Sequence, residues 1–372
     1  MLETDQRPVF LLERKLGCTW QHLRKADSQA SNALKDLVTI LEKGLGKFAT
    51  EDANLVAFGS LARREWIDWE SDLDWTYLID GQANSRHLGI AQQIRSTLQK
   101  EKRQIDGCNE QFRFAEPGPT GTFGNLGFSH QLVHLIGGQD DNNKNMTNRM
   151  LLLLESIPVG PRSAYDRIVR AVIDRYLEEE AHILIEGQAR FKVPRFLLND
   201  IVRFWRTMAV DFASKQRDRG GKGWGLRNAK LRMSRKLIFA SGVLVCFRCN
   251  LDQKLQGKIS TEGRDINLKH LANHILDCTN STPLDILAST VQNSGTNDEV
   301  ATALFSSYDE FLGTLADKSA RAELKAMSPQ DSRSNPVFMQ LRRISKRFED
   351  GLNKLFFHND DIRPLTEKYG VF

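Results

Sequence analysis

No run of eighteen apolar residues occurs in the 372-residue chain, so the sequence offers no helix to span a bilayer. The opening residues, MLETDQRPVF, lack the basic start and apolar stretch of a secretory signal. Cysteine is scarce: Cys18, Cys108, Cys246, Cys249 and Cys278 are odd in number and at no framework spacing, which excludes a disulfide-stapled scaffold. Cys246 and Cys249 form one CxxC in the apolar stretch LVCFRCN, with no second pair or nearby histidine to complete a zinc site. Core packing is the expectation there, and a reducing cytoplasm the simplest setting. Charge of one sign is also missing: 52 basic residues face 47 acidic ones, a net +5 that does not by itself argue for nucleic acid. Low-complexity tracts and internal repeats are absent, which excludes solenoids and disordered arrays.

What is present is concentrated between Leu55 and Asp80, LVAFGSLARREWIDWESDLDWTYLID. An apolar run ends in Gly59-Ser60, and Asp72 and Asp74 open a second apolar run. On a strand alternate side chains share a face, so Asp72 and Asp74 point one way and Leu73 and Trp75 the other. Two carboxylates that close repel unless a cation sits between them. A Gly-Ser turn at a neighbouring strand end offers N–H groups and a hydroxyl to phosphate oxygens. The combination points to a metal-dependent nucleotide site.

The pattern Gly59-Ser60, Ala62-Arg63-Arg64-Glu65 and Ser71-Asp72-Leu73-Asp74 resembles the active-site signature of the polymerase-β-type nucleotidyltransferase superfamily. The Ala-Arg-x-Glu variant is similar to that of bacterial minimal nucleotidyltransferases and of relatives of the PII-protein uridylyltransferases. The signature covers about twenty residues. The resemblance implies that Asp72 and Asp74 ligate Mg²⁺, two ions with Mn²⁺ as a substitute, and that Gly59 and Ser60 hold the β- and γ-phosphates. Ser71 is expected to cap the strand entry or orient Asp72, and Arg63 and Glu65 to form an ion pair that fixes the turn. The superfamily usually adds a third carboxylate from a later strand. Among Asp106, Glu110 and Glu116, the sequence ranks Glu116 first, because it follows the strand candidate Phe112–Phe114 and precedes a Gly/Pro-rich loop. The candidate strand LGFSHQLVH carries Gln131 where an acid is expected, which would make a slow, one-metal or inactive enzyme. His130 and His134 read as partly buried structural histidines, and the segments PGPTGTFGN and IGGQDDNNKN as loops with an open role in binding.

The fold expected is α+β: a nucleotidyltransferase-type mixed sheet with helices over residues 1–157, then a mostly helical domain for substrate or nucleotide over 158–372. Residues 9–48 read as helical, with breaks near Thr19 and Asp27 to Ser31 and a stop at Gly46. Strands are expected at 54–58 and 73–79, and a helix capped by Ser85 runs to Lys100. Helical periodicity continues at 163–190, 194–217, 228–249, 264–278, 283–293, 297–327 and 335–357. Asp200 and Arg203 are placed to pair one turn apart. Between Lys215 and Lys236 lie nine Lys/Arg and one acid, Asp218. Arg227 and Lys230 share a helix face after Trp224, and the resemblance implies that such a face reaches the triphosphate.

The function so implied is transfer of a nucleoside monophosphate from an NTP to a protein or tRNA acceptor, with release of pyrophosphate, in a regulatory or toxin-like defence role. The partners expected are the triphosphate and that acceptor, without a membrane, in the cytoplasm. One alternative is synthesis of a cyclic or linear oligonucleotide signal, a class that more often shows a threonine-containing segment where this chain has Ala62-Arg63. The other is a degenerate, non-catalytic nucleotide-binding module.

Overall fold

The computed structural model describes residues 4–105, 109–112, 114, 124–178, 180, 182–218, 223–261 and 263–370. It is a mixed α/β chain whose helices outweigh one four-stranded sheet. It divides into two compact units, one of Ala26–Ala181 with Ala272–Thr282, the other of Met1–Lys25, His182–Leu271 and Pro283–Phe372. These bounds do not coincide with the sequence division at 157/158. The helix Ser163–Glu178 belongs with the sheet, and the first 25 residues belong with the helical unit.

In the sheet unit, β1 (Ala53–Phe58) is central. It pairs antiparallel with β2 (Asp74–Ile79) on one side and with β6 (Ser156–Val159) on the other, and β5 (Asn125–Phe128) adds parallel to β2. A separate hairpin joins β3 (Lys102–Ile105) to β4 (Asn109–Phe112). Every residue of β1 is buried. Both faces of the sheet are covered, so β1 reads as a continuous apolar run rather than an alternation. One face packs Leu55, Ala57, Trp75 and Tyr77 into a core with Leu37 and Leu41 of the helix Gln21–Leu45 and Ile94 of the helix Ser85–Lys100. Burying each such aliphatic side chain contributes about 1.5–3 kcal/mol. On the other face Asn54 accepts the Tyr165 N–H at 2.8 Å, fixing the start of the helix Ser163–Glu178 against β1.

Gly46 follows the last residue of its helix at φ +67, the left-handed stop expected of it. Three local expectations need correction. Asp27 to Ser31 lie inside the helix Gln21–Leu45, because continuous apolar spacing outweighs the cap-forming side chains. The cap of the helix Ser85–Lys100 is Asn84, not Ser85: its side chain accepts from Arg86 and His87 N–H, and His87 reaches back to the Asn84 N–H. The stretch read as a strand over LGFSHQLVH is a strand only to Phe128; the helix Ser129–Val133 follows.

In the helical unit the expected periodicities appear as helices Arg195–Asp218, Pro283–Asn293, Asp298–Ala316, Lys318–Ala326 and Pro336–His358, while the residues of the expected helix Arg264–Thr279 divide between the two units after Leu271. Asp200 and Arg203 pair at 2.8 Å, as their spacing predicts. The N-terminal segment is held to this unit by Arg7, whose guanidinium donates twice to buried Asp285, at 3.0 and 2.8 Å. Trp20 stacks on Phe305 with ring centroids 5.1 Å apart. Pro336–His358 lies along Asp298–Ala316. Tyr308 and Phe348 meet there at 5.6 Å, and Gly351 leaves the space that Leu304 occupies. Among the described residues no helix is long and apolar enough to cross a membrane.

Candidate nucleotide and metal site

The site begins where β1 ends. Phe58 is paired with Asp74 on one side and with Ser156 on the other, so the turn after Phe58 leaves the sheet beside the start of β2. Gly59 makes that turn at φ +67, a left-handed conformation that a side chain resists. A Cβ at Gly59 would lie 3.0 Å from Asp74 Oδ2, so the backbone of the Gly-Ser turn sits directly against this carboxylate. The turn closes as a short helix, Gly59–Ala62: Arg63 N–H donates to Gly59 carbonyl at 2.9 Å and Glu65 N–H to Ser60 carbonyl at 2.8 Å.

Asp74 is half-buried and Asp72 exposed, whereas Leu73 and Trp75 are 1% and 2% exposed. Exposed and buried positions therefore alternate from Asp72 to Trp75, as a strand entry requires. Ser71 Oγ accepts the Ile67 N–H at 2.9 Å, closing the turn that delivers Asp72. Arg63 donates to Glu65 at 2.9 Å, the expected ion pair, and also to Glu155, the residue immediately before β6. Arg63 thus ties the Gly-Ser turn to the strand on the far side of β1. Glu155 was not singled out in the sequence: 92 residues separate it from Arg63 and only the β1–β6 pairing brings them together. Arg64, at φ +59, turns its guanidinium to buried Asp27 at 2.9 Å. Ser156 Oγ lies 3.0 Å from the Tyr165 hydroxyl, and burial pushes that phenol above its ordinary value, so it stays protonated.

Glu116 lies outside the described residues, as does Asp106. On β5, Asn125 pairs with Thr76 and Gly127 with Leu78, so the described residues on Asp74's face of this strand are an amide and a glycine. Gly127 is required there: a Cβ would lie 2.8 Å from Thr76 Cγ2. Gln131 is on the helix Ser129–Val133 and not on a strand, so it does not occupy a strand position for a third acid. His130 and His134 are exposed, not partly buried, with ring centroids 5.3 Å apart. Among the described residues, no three His, Cys, Asp or Glu side chains are gathered so as to hold a metal ion. Asp72 and Asp74 are a two-carboxylate set, which suits Mg²⁺ when substrate phosphates and water complete its octahedron.

In the helical unit, Arg227 is half-buried and Lys230 exposed on the helix Trp224–Lys230. That helix runs on through a π-helical segment, Leu231–Arg235, into Lys236–Leu251. It packs closely on its own unit: a Cβ at Gly225 would lie 2.8 Å from the Leu324 carbonyl, and Trp224 meets Phe338 at 5.1 Å. Cys246 and Cys249 are fully buried in the Lys236–Leu251 helix, and Cys249 Sγ lies 3.4 Å from the Val245 carbonyl. Both are core positions.

No protein-family model matches the chain, and no curated protein is significantly similar to it.

Proposed function

We propose that the chain is a metal-dependent nucleotidyltransferase that moves a nucleoside monophosphate from an NTP to a protein or tRNA acceptor. One observation carries this reading: a left-handed Gly59 turn packed against Asp74 Oδ2, with exposed Asp72 two residues before that carboxylate. A triphosphate cradled by the turn at Gly59-Ser60 would lie against the carboxylates, where its charge is tolerated only with a divalent cation between. Bound Mg²⁺ at Asp72 and Asp74 would supply charge neutralisation on the attacking and leaving oxygens.

In the reaction an acceptor hydroxyl gives up its proton to water and its oxygen attacks the α-phosphorus. The bond from that phosphorus to the β-bridging oxygen breaks, and pyrophosphate leaves with the electron pair. The chain's own contribution is positional. Gly59 and Ser60 hold the phosphate tail, and the Arg63 link to Glu65 and Glu155 keeps the turn in place.

The test is incubation with Mg²⁺ and each α-³²P-labelled triphosphate, with and without cell extract. Label on a protein or tRNA band supports the proposal. A small soluble labelled product supports oligonucleotide synthesis instead. Absence of turnover together with retained nucleotide binding in Asp72→Ala and Asp74→Ala supports the non-catalytic module, a reading to which Asn125 on β5 lends weight.

A further inference from the structure

The Pro336–His358 helix separates its charges sharply. Leu341, Ile344, Phe348, Leu352 and Leu355 are buried against its own unit. The opposite side carries Arg342, Arg343, Lys346, Arg347 and Lys354, all exposed, against two acids, Asp350 within the face and Glu349 at its edge, where it pairs with Lys236 at 3.2 Å. At 3.6 residues per turn these cations fall within an arc of roughly 140°. Lys346 pairs with Asp350 and Arg347 with Glu310, both across half-exposed surfaces, where such pairs exchange readily with other anions. Arg342, Arg343 and Lys354 have no ion-pair partner among the described residues. The same face exposes Phe357, 48% accessible, one turn beyond Lys354. A solvated helix in this chain would be mixed in sign, since 52 cations face 47 anions overall. Five cations to two acids, one of them already paired with Lys236, is a local segregation.

We propose that this face binds a single-stranded polynucleotide. Its phosphates lie along the cations, over roughly 22 Å from Arg342 to Phe357 at 1.5 Å per residue, and a base stacks on Phe357. A duplex would use the cations but leave Phe357 without a base to meet. An acidic protein segment would use the cations without needing an aromatic. The inference does not depend on nucleotidyl transfer, because the face binds polymer whether or not Asp72 and Asp74 hold a metal.

The experiment is fluorescence anisotropy of the full chain with labelled unstructured RNA and DNA oligomers of one sequence, about 12 nucleotides long, across a salt series. Each neutralised phosphate contributes a slope of about −0.7 in log affinity against log salt. Five cations then predict about −3.5, a loss of ~100-fold between 50 and 200 mM salt. Arg342→Glu with Arg343→Glu should flatten the slope by about 1.4, whereas Arg342→Lys with Arg343→Lys should leave it unchanged. Phe357→Ala should weaken binding by ~10-fold at unchanged slope. Equal affinity for RNA and DNA, or a preference for RNA through its 2′-hydroxyl, both agree with the proposal. It is overturned if neither polymer binds at low salt, if the double Glu variant keeps the wild-type slope, or if polyglutamate binds as tightly and Phe357→Ala has no effect.

Discussion

Replacing Gly59 with alanine tests the turn with an internal control. Gly59 and Gly46 both sit at φ +67 in the same unit, but a Cβ at Gly46 would meet nothing within 4 Å, whereas at Gly59 it would lie 3.0 Å from Asp74 Oδ2. The left-handed backbone costs an alanine about 1–2 kcal/mol at either position. For a unit of this size that is roughly 2–4 °C of melting temperature per kcal/mol. Both variants should therefore melt about 2–8 °C lower. Only Gly59→Ala must also displace the Asp74 carboxylate by a few tenths of an ångström, so only it should lose nucleotide affinity. Thermal melts with and without Mg²⁺ and NTP read both effects. Gly46→Ala should keep the full ligand-induced rise and Gly59→Ala should lose most of it. If both variants keep that rise, Gly59 does not cradle phosphate and the reasoning fails.

Asp74→Asn should lower turnover by at least ~10² while leaving the fold intact by circular dichroism, because its half-buried side chain keeps its size. Arg63→Ala removes the link to Glu65 and Glu155; with buried Glu65 left without this cation, it should destabilise by ~3–5 kcal/mol in denaturant titration. Cys246 and Cys249 are read as core, so metal analysis should find no stoichiometric zinc and EDTA should leave the melting temperature unchanged. Burial lifts the Asp309 carboxyl above its ordinary value, opposed by the N–H it accepts from Leu23 at 2.8 Å. Between the ordinary and the raised value the native state binds more protons than the unfolded chain, so this group's contribution falls as pH rises through that window. Asp309→Asn keeps the acceptor and removes the charge. Its stability relative to wild type should rise from pH 4 to neutrality in urea titrations.

Where the sequence carried local signals, it was legible. Alternation placed Leu73 and Trp75 inside and Asp72 outside, and helical periodicity located Ser85–Lys100 and Pro283–Asn293 to the residue. Where the determinant is a contact across the chain, it was not. Pro158 reads as a domain boundary, yet it lies in β6, an edge strand where a residue without an N–H is tolerated. That strand brings Glu155 to Arg63. The N-terminal segment joins the helical unit through Arg7 and Asp285, 278 positions apart, a pairing that no local pattern announces. The helix at Ser129 defeated the strand reading because its five residues are too few to establish a 3.6-residue period.

The most direct measurement is anomalous diffraction from crystals grown with Mn²⁺ and a triphosphate analogue resistant to α,β cleavage. The account predicts a manganese peak ligated by both Asp72 and Asp74, with the phosphate tail on the Gly59-Ser60 turn. A bound analogue with no ion at those two carboxylates, or with its phosphates elsewhere, would contradict it.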